Sequence, residues 1–380
     1  MHHTARVSVI GVVGVPARYG GFETLAHHFV LNLADRYQIT VFNSQKVYKP
    51  EERMENWEGA QMEYLPLEAN GIQSIPYDIV AMMKSVRQSD VMVVLGVSGC
   101  LALPLFKMLF PNKVWVINID GLEWRRPKWG TFAKKYLKFA ERIAVRFADR
   151  IVADNEWIQH YVVDHYGRSQ GLDLIAYGGD HVNRVEITPE DIVAYPFLAE
   201  SYSMMVGRIE PENNIGMILE AFANMPDQPF ALVGNWDSSA YGRSLKAQYS
   251  GYDNIHIIDY ISDMRTLDLL RGNCRVYIHG HSAGGTNPAL VEAMNLSRPV
   301  FAYDVNFNFA TTEGKARYFA TSGELIQLMN TVEQVTLTEI SMDMKEIADR
   351  RYTWNQVSNQ YAQSIEYALE GKGKLQSQVE

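Results

Sequence analysis

Cysteine is nearly absent from this chain of 380 residues, which has only Cys100 and Cys274. Far apart, they form neither a CxxC pair nor a zinc-ligand spacing. That excludes a disulfide framework and fits a reduced, cytoplasmic setting in which each thiol is a small buried hydrophobe. Long clean hydrophobic runs are missing too. The nearest, VMVVLGVSGCLALPLFKMLF from Val91 to Phe110, is broken by two glycines, a proline and Lys107, and reads as a buried strand, a Gly-Ser turn and a helix. In the opening MHHTARVSVIGVVGVPARYGG, glycines interrupt the apolar stretch and Pro-Ala-Arg-Tyr stands where a cleavage site is needed, so no signal peptide is read there. Basic charge is not in excess: the net charge of −9 argues against nucleic acid as a partner. The charge is uneven, however. Residues 1–180 carry 20 Lys and Arg against 19 Asp and Glu, whereas residues 181–380 carry 15 against 25, so the first half can approach an anionic surface.

What is present is a globular composition, 47% hydrophobic and 21% charged, in a chain longer than one core supports, which points to two domains. In the first half RVSVIGV, QITVFNS, VMVVLGV, KVWVINID and RIVADN read as short buried strands between segments of helical periodicity such as FETLAHHFVLNLADRY. The pattern pauses between about Ala176 and Ser201, in YGGDHVNRVEITPEDIVAYP, and restarts with YSMMVGRI, FALVGN, NIHIID, RVYIHG and PVFAYD. Such alternation builds parallel sheets covered by helices. The expected fold class is α/β, with two doubly wound Rossmann-like domains at residues 1–180 and 200–360 and a C-terminal tail at 361–380, whose last ten residues read as frayed.

In such sheets ligands gather at the carboxyl ends of the strands. The first strand end, VIGVVGVPARYGGFET, does not spell GxGxxG, and the second ends in Asn43-Ser44 where a dinucleotide fold carries an acid; both argue against a dehydrogenase. Its Gly20-Gly21 stand before a helix, where bare glycines and a helix start suit an anion, or simply make a tight turn. In HGHSAGGTNPALVEAM, residues 279–294, Asn287 is a good N-cap and Pro288 suits the first helical position, while Gly284, Gly285 and Thr286 keep the backbone open to a diphosphate. Glu292, just over a turn into that helix, can accept hydrogen bonds from vicinal ribose hydroxyls, or serve as a helix-dipole partner or a solvated side chain. VGRIEPENN offers Arg208, whose planar fork suits phosphate oxygens and equally a surface ion pair, and Glu210-Pro211-Glu212 to cap the next helix. His279 and His281 form a His-x-His pair with no third ligand evident, which reads as structural.

Together ARYGGFET (17–24), IDGLEWRRPKWG (119–130), ADNEWI (153–158), VGRIEPENN (206–214) and GGTNPALVEAM (284–294) resemble the glycosyltransferases of family four, with the GT-B architecture. More narrowly they resemble the bacterial rhamnosyltransferase-like branch that builds capsule and cell-wall polysaccharides. The resemblance spans most of the chain, in the family's order. It implies two Rossmann-like domains with an interdomain cleft, a nucleotide-sugar donor held mainly by the second domain, and a saccharide or lipid-diphosphate-linked acceptor held mainly by the first. It further implies transfer with retention, without metal or cofactor, and dTDP-rhamnose as the expected donor. A sugar-nucleotide epimerase of the same fold, or a binding protein without turnover, are the alternatives. By position, Glu292 matches the ribose glutamate, Arg208 the diphosphate arginine, Gly20-Gly21 the glycine loop beside the transferred sugar, and the backbone at Tyr260-Ile261 the base contact.

Two positions depart from that pattern. A family glutamate eight residues before the ribose glutamate is Gly284 here, and the usual lysine five residues after the arginine is Asn213. Arg125 or Arg126, with the amides of residues 285–290, is then expected to neutralise the leaving charge. Asp120, where the family often has a histidine, is expected to orient or deprotonate the acceptor hydroxyl, or to cap the turn before Gly121; Glu123 is a second carboxylate within reach.

The segment RRPKWGTFAKKYLKFAERIAVRFADR, residues 125–150, holds nine Lys and Arg against two acids. Trp129, Phe132, Tyr136, Phe139 and Ile143 recur at helical spacing, so an apolar stripe with cationic flanks is expected. It reads as a core-facing helix with a solvated basic edge, or as an interfacial helix resting on an anionic membrane, with Trp124 or Trp129 near the headgroups. The expected location is cytoplasmic, peripheral on the inner face of the plasma membrane.

Overall fold

The computed structural model describes residues 4–18, 20–126 and 129–376. Tyr19 of the first glycine loop, Pro127 and Lys128 of the basic segment, and residues 377–380 lie outside the described residues. The chain divides into two units, one formed by residues 1–177 with 354–380 and the other by residues 178–353.

The first unit holds β1 (Arg6–Ile10), β2 (Gln38–Ser44), β3 (Asn56–Trp57), β4 (Ala60–Leu65), β5 (Val91–Leu95), β6 (Val114–Asn118), β7 (Arg150–Ala153) and β8 (Leu172–Leu174). They form one sheet of order β3-β4-β2-β1-β5-β6-β7-β8, parallel except for β3 against β4. Every residue of β5 and β6 is buried, because helices cover both faces of a parallel sheet; hence their unbroken apolar runs. Strand order reverses between β1 and β5, which makes the carboxyl ends of those strands the switch point where ligands bind.

The C-terminal segment corrects the sequence reading. Residues 354–376 are one helix of the first unit, neither the end of the second domain nor a tail from 361. Val357, Tyr361, Ala362, Ile365 and Ala368 recur at helical spacing and are buried, so the glycine- and glutamine-rich surface hid an amphipathic pattern. The Tyr361 hydroxyl accepts from Asn118 Nδ2 at 2.8 Å, and the Trp354 ring stacks on His28 at 4.4 Å.

The second unit holds β9 (Ser203–Val206), β10 (Phe230–Val233), β11 (Ile255–Ile258), β12 (Val276–His279), β13 (Val300–Tyr303) and β14 (Arg317–Phe319), all parallel, in the order β11-β10-β9-β12-β13-β14. Here order reverses between β9 and β12. These two strands pair only at Ser203 with Val276 and Met204 with Tyr277, so they part before the loops that follow Val206 and His279. Residues 178–200, where the strand pattern pauses, belong to this unit; Thr188 and Asp191 form a capping box on a helix Pro189–Ala194.

The basic helix spans Thr131–Phe147, and its core face is Leu137, Ala140, Glu141, Ala144 and Val145. The expected apolar stripe therefore splits. Trp129, Tyr136 and Ile143 pack at the edge of the core, while Phe132 and Phe139 are 85% and 54% exposed. Small residues at 140 and 144 let the helix lie close to its neighbours, which rotates the phenylalanine row outward. Among the described residues no helix is long and apolar enough to cross a membrane.

Candidate functional site

In the second unit, the Arg208 loop and the Gly284 loop leave the two strands at the switch point and are tied together. Ser282 donates from N and from Oγ to the Glu212 carbonyl, each at 2.8 Å, and Asn214 Nδ2 donates to the Gly280 carbonyl at 2.8 Å. Asn213 braces the junction: its Nδ2 donates to the Arg208 carbonyl at 2.6 Å and its Oδ1 meets His281 Nδ1 at 2.6 Å. With Nδ2 committed, Oδ1 is the acceptor, so His281 carries its proton on Nδ1. Asn213, expected as a substrate contact, is thus buried with both ends of its amide engaged. Residues Pro211–Asn213 form a 3-10 turn, so Glu210-Pro211-Glu212 does not cap the helix Ile215–Ala223; Asn214, in the left-handed region at φ 52°, precedes it instead. Arg208 is exposed, and among the described residues its guanidinium has no hydrogen bond or ion pair.

The Gly284 loop turns at φ 122°, a conformation that suits glycine, and a glutamate there would be strained. Gly285 and Thr286 are buried behind it. Asn287 accepts from the Ala289 N–H at 3.0 Å and Pro288 opens the helix Pro288–Asn295, as the sequence indicates. Glu292 is neither solvated nor a bare dipole partner. Its Oε2 pairs with Arg271 Nη1 and its Oε1 lies 3.3 Å from His181 Nε2. Burial raises the Glu292 carboxyl, but Arg271 and His181 more than offset it and the net displacement is downward. Beyond β11, Tyr260 is 46% exposed while Ile261 packs on the core. His279 is buried with neither ring nitrogen hydrogen-bonded, and burial pushes its imidazole down to about 3. Among the described residues no three His, Cys, Asp or Glu gather as metal ligands.

In the first unit the helix Gly21–Leu33 starts after Gly20, at φ 126°. That start is not bare. Glu23 folds back over it, so closely that a Cβ on Gly20 would lie 1.9 Å from Glu23 Oε2, while Oε1 accepts the Val13 N–H at 2.8 Å. Asp120 and Leu122 are non-glycine residues in the left-handed region, at φ 59° and 55°, a strained backbone of the kind found at functional loops. Asn118 Oδ1 holds the Asp120 N–H at 2.9 Å. Burial first, then Asp120, Asp154 and Glu23 among other charged and polar groups, push the Tyr177 hydroxyl well above its ordinary pKa.

The remaining candidates diverge. Glu123 is not a spare carboxylate: Trp129 Nε1 donates to Oε1 at 2.9 Å, and Arg126 Nε lies 2.7 Å from Oε2, which also neutralises Arg126. Arg125 stays exposed, its guanidinium carbon 5.3 Å and 5.4 Å from the ring centroids of Trp124 and Trp157.

Residues 195–349 match the family described as glycosyl transferases group 1, and residues 4–180 match a domain of unknown function, DUF1972. The span matched by the group 1 family lies within the second unit. No curated protein matches the chain. Among solved structures, sucrose-phosphate synthase from Thermosynechococcus elongatus is similar at 15% identity and TM-score 0.82, covering 97% of this chain and 100% of that one. HepE from Anabaena, solved with UDP-glucose, is similar at 14% identity and TM-score 0.70, covering 96% and 100%. The catalytic domain of starch synthase IV from Arabidopsis thaliana, bound to ADP and acarbose, is similar at 11% identity and TM-score 0.70, covering 97% and 100%. The chain thus has the GT-B fold of two Rossmann-like sheets.

Sequence reasoning missed several groups around these loops. Glu23 was legible in Gly-Gly-x-Glu, since an acid three residues past a helix start commonly folds back on it. Arg271, Asp268 and His181 carried no signal, because an arginine in LLRGNCR reads like any surface arginine.

Proposed function

We propose that this glycosyltransferase moves a sugar, L-rhamnose from dTDP-rhamnose as the leading donor, onto a saccharide acceptor that is lipid-diphosphate-linked, with retention and without metal. The observation that carries the reading is Arg208: an exposed, unpaired cation on a loop tied to a glycine turn and a capped helix start. Oriented amides and one guanidinium at a strand switch point suit a leaving diphosphate. Bond making is simple. The acceptor oxygen bonds to the anomeric carbon as the carbon–diphosphate bond breaks, and the hydroxyl proton passes to the departing phosphate oxygen or to Asp120. Glu292 takes the ribose hydroxyls, the backbone at Tyr260 meets the base, and Arg125 adds positive charge toward phosphate. Arg126 suits that role less, because Glu123 already neutralises it.

The basic helix supports an anionic membrane as a further partner, with the enzyme cytoplasmic and peripheral. Phe132, Lys135, Phe139, Arg142 and Arg146 are all exposed and recur at i, i+3, i+7, i+10 and i+14, so two apolar rings and three cations share one outward face.

Calorimetry against UDP, dTDP, ADP and GDP, followed by turnover of the matching sugars with chromatographic product analysis, tests the reading. Binding of one diphosphate that Arg208→Ala weakens, with sugar consumed only when an acceptor is present, is the expected result. Consumption without acceptor would indicate epimerisation, and binding without consumption an inert binder; either outcome overturns the transferase reading.

A further inference from the structure

Arg271, in the last turn of the helix Met264–Gly272, has no exposed side-chain surface. Burying a guanidinium is costly, and apolar replacements of buried ion pairs are often neutral or stabilising. Its surroundings favour an apolar residue: Leu269, Leu270 and Cys274 on the same stretch belong to a core cluster. A charge kept in such a place calls for a role other than stability.

That role is visible in its partners. Nη2 lies 3.2 Å from Asp268 Oδ1 and Nη1 pairs with Glu292. Asp268 is held in turn by the Asn183 N–H at 2.8 Å, two residues beyond the His181 that meets Glu292 Oε1. One short segment therefore orients both acids about a single guanidinium. Two further titratable groups lie close: Tyr277 donates its hydroxyl to the Val206 carbonyl at 3.3 Å, and Cys274 donates its thiol to the Arg271 carbonyl at 3.3 Å.

We infer that Arg271 is a positioning residue for the donor: with His181 it keeps Glu292 ionised and aimed, so that the carboxylate's two remaining lone pairs take hydroxyls of the nucleotide's sugar. The inference rests on the donor reading of Glu292 above. A carboxylate offers about four lone-pair sites. Arg271 uses one on Oε2 and His181 one on Oε1, which leaves one on each oxygen: enough for the vicinal hydroxyls of a ribonucleotide, or for the lone 3′-hydroxyl of a deoxyribonucleotide. Without the arginine, burial favours the protonated acid and removes acceptors.

The test compares affinities for UDP and 2′,3′-dideoxy-UDP, and for dTDP and 3′-deoxy-dTDP, by calorimetry between about pH 5.5 and 8.5. The wild type is expected to prefer the hydroxyl-bearing member by roughly tenfold or more, with a ratio flat across that range. In Arg271→Gln the preference is lost at the acid end and returns as pH rises and Glu292 ionises; in Glu292→Gln it is lost throughout. His181→Asn lowers it several-fold without adding a pH dependence. An Arg271→Gln protein with the wild-type ratio at every pH overturns the inference, as does a Glu292→Gln protein that still discriminates. Should Arg271→Gln fail to fold, Arg271→Lys, which cannot bridge both acids, must lower the ratio several-fold, and an unchanged ratio overturns the inference equally. If the wild type binds no nucleoside diphosphate, the donor reading fails and the inference falls with it; binding with unaltered discrimination sinks the inference alone.

Discussion

Asn213 Oδ1 lies 2.6 Å from His281 Nδ1, and through that contact the turn after β12 sets the position of the Arg208 loop. The asparagine fixes the backbone that carries the arginine. Asn213→Ala leaves the Arg208 carbonyl and the buried His281 imidazole without their partner, at a stability cost of about 1–3 kcal/mol. Diphosphate binding is expected to weaken roughly tenfold as the arginine loses preorganisation. Urea unfolding and calorimetry on the same protein separate the two effects, and unchanged binding in a destabilised variant would detach Asn213 from the site.

Asp78 predicts a pH dependence. It is 2% exposed, accepts the Gly99 N–H at 3.1 Å, and burial pushes its carboxyl up to about 8. Between the ordinary value near 4 and about 8, the unfolded chain is ionised at this residue while the folded chain keeps the proton. Wild-type stability from this group therefore falls as pH rises through that window. Asp78→Asn, which can still accept from Gly99, removes the dependence. Its stability relative to wild type should rise by up to about 1.4 kcal/mol per pH unit between roughly pH 5 and 7. Chemical denaturation at the two pH values measures it; a constant difference means the carboxyl titrates normally.

Tyr361 tests whether the C-terminal helix completes the first unit. Tyr361→Phe strips the Nδ2 donor of Asn118, a residue 1% exposed, of its acceptor and should cost about 1–3 kcal/mol. Tyr361→Ala adds a cavity and should cost about 3–5 kcal/mol. Unfolding curves that barely move for the alanine variant would mean that this helix contributes little to the core.

The outward row on the basic helix predicts lipid binding with two separable parts. Changing Phe132 and Phe139 to serine should lower partition onto phosphatidylglycerol vesicles at any salt, by roughly 1.5–3 kcal/mol per ring fully inserted. Neutralising Lys135, Arg142 and Arg146 should lower it at low salt only, by about 1 kcal/mol per charge. Co-sedimentation that responds to neither set of changes removes the membrane from the picture.

What could be read from the sequence was what local chemistry decides. β5 runs from Val91 to Leu95, the start of VMVVLGV, because a strand buried on both faces reads as an unbroken apolar run. Asn287 and Pro288 announce their helix because a cap and a first-turn proline act within a few residues. The basic helix was visible, but not which rows it buries, since that depends on how closely its small residues approach the neighbouring elements. Arg271 and Glu292 are 21 residues apart on different helices, and nothing local links them. The pairing of Glu123 with Arg126 was within reach, three residues apart in a turn, and would have removed both from the set of available charges.

One consequence follows from the way the first unit is closed by residues 354–376. During synthesis the second unit has all of its residues once Thr353 has left the ribosome, whereas the first still lacks Tyr361 and its neighbours. The half made first is therefore finished last, and until then the surface that will receive those side chains is exposed to chaperones, proteases and other nascent chains.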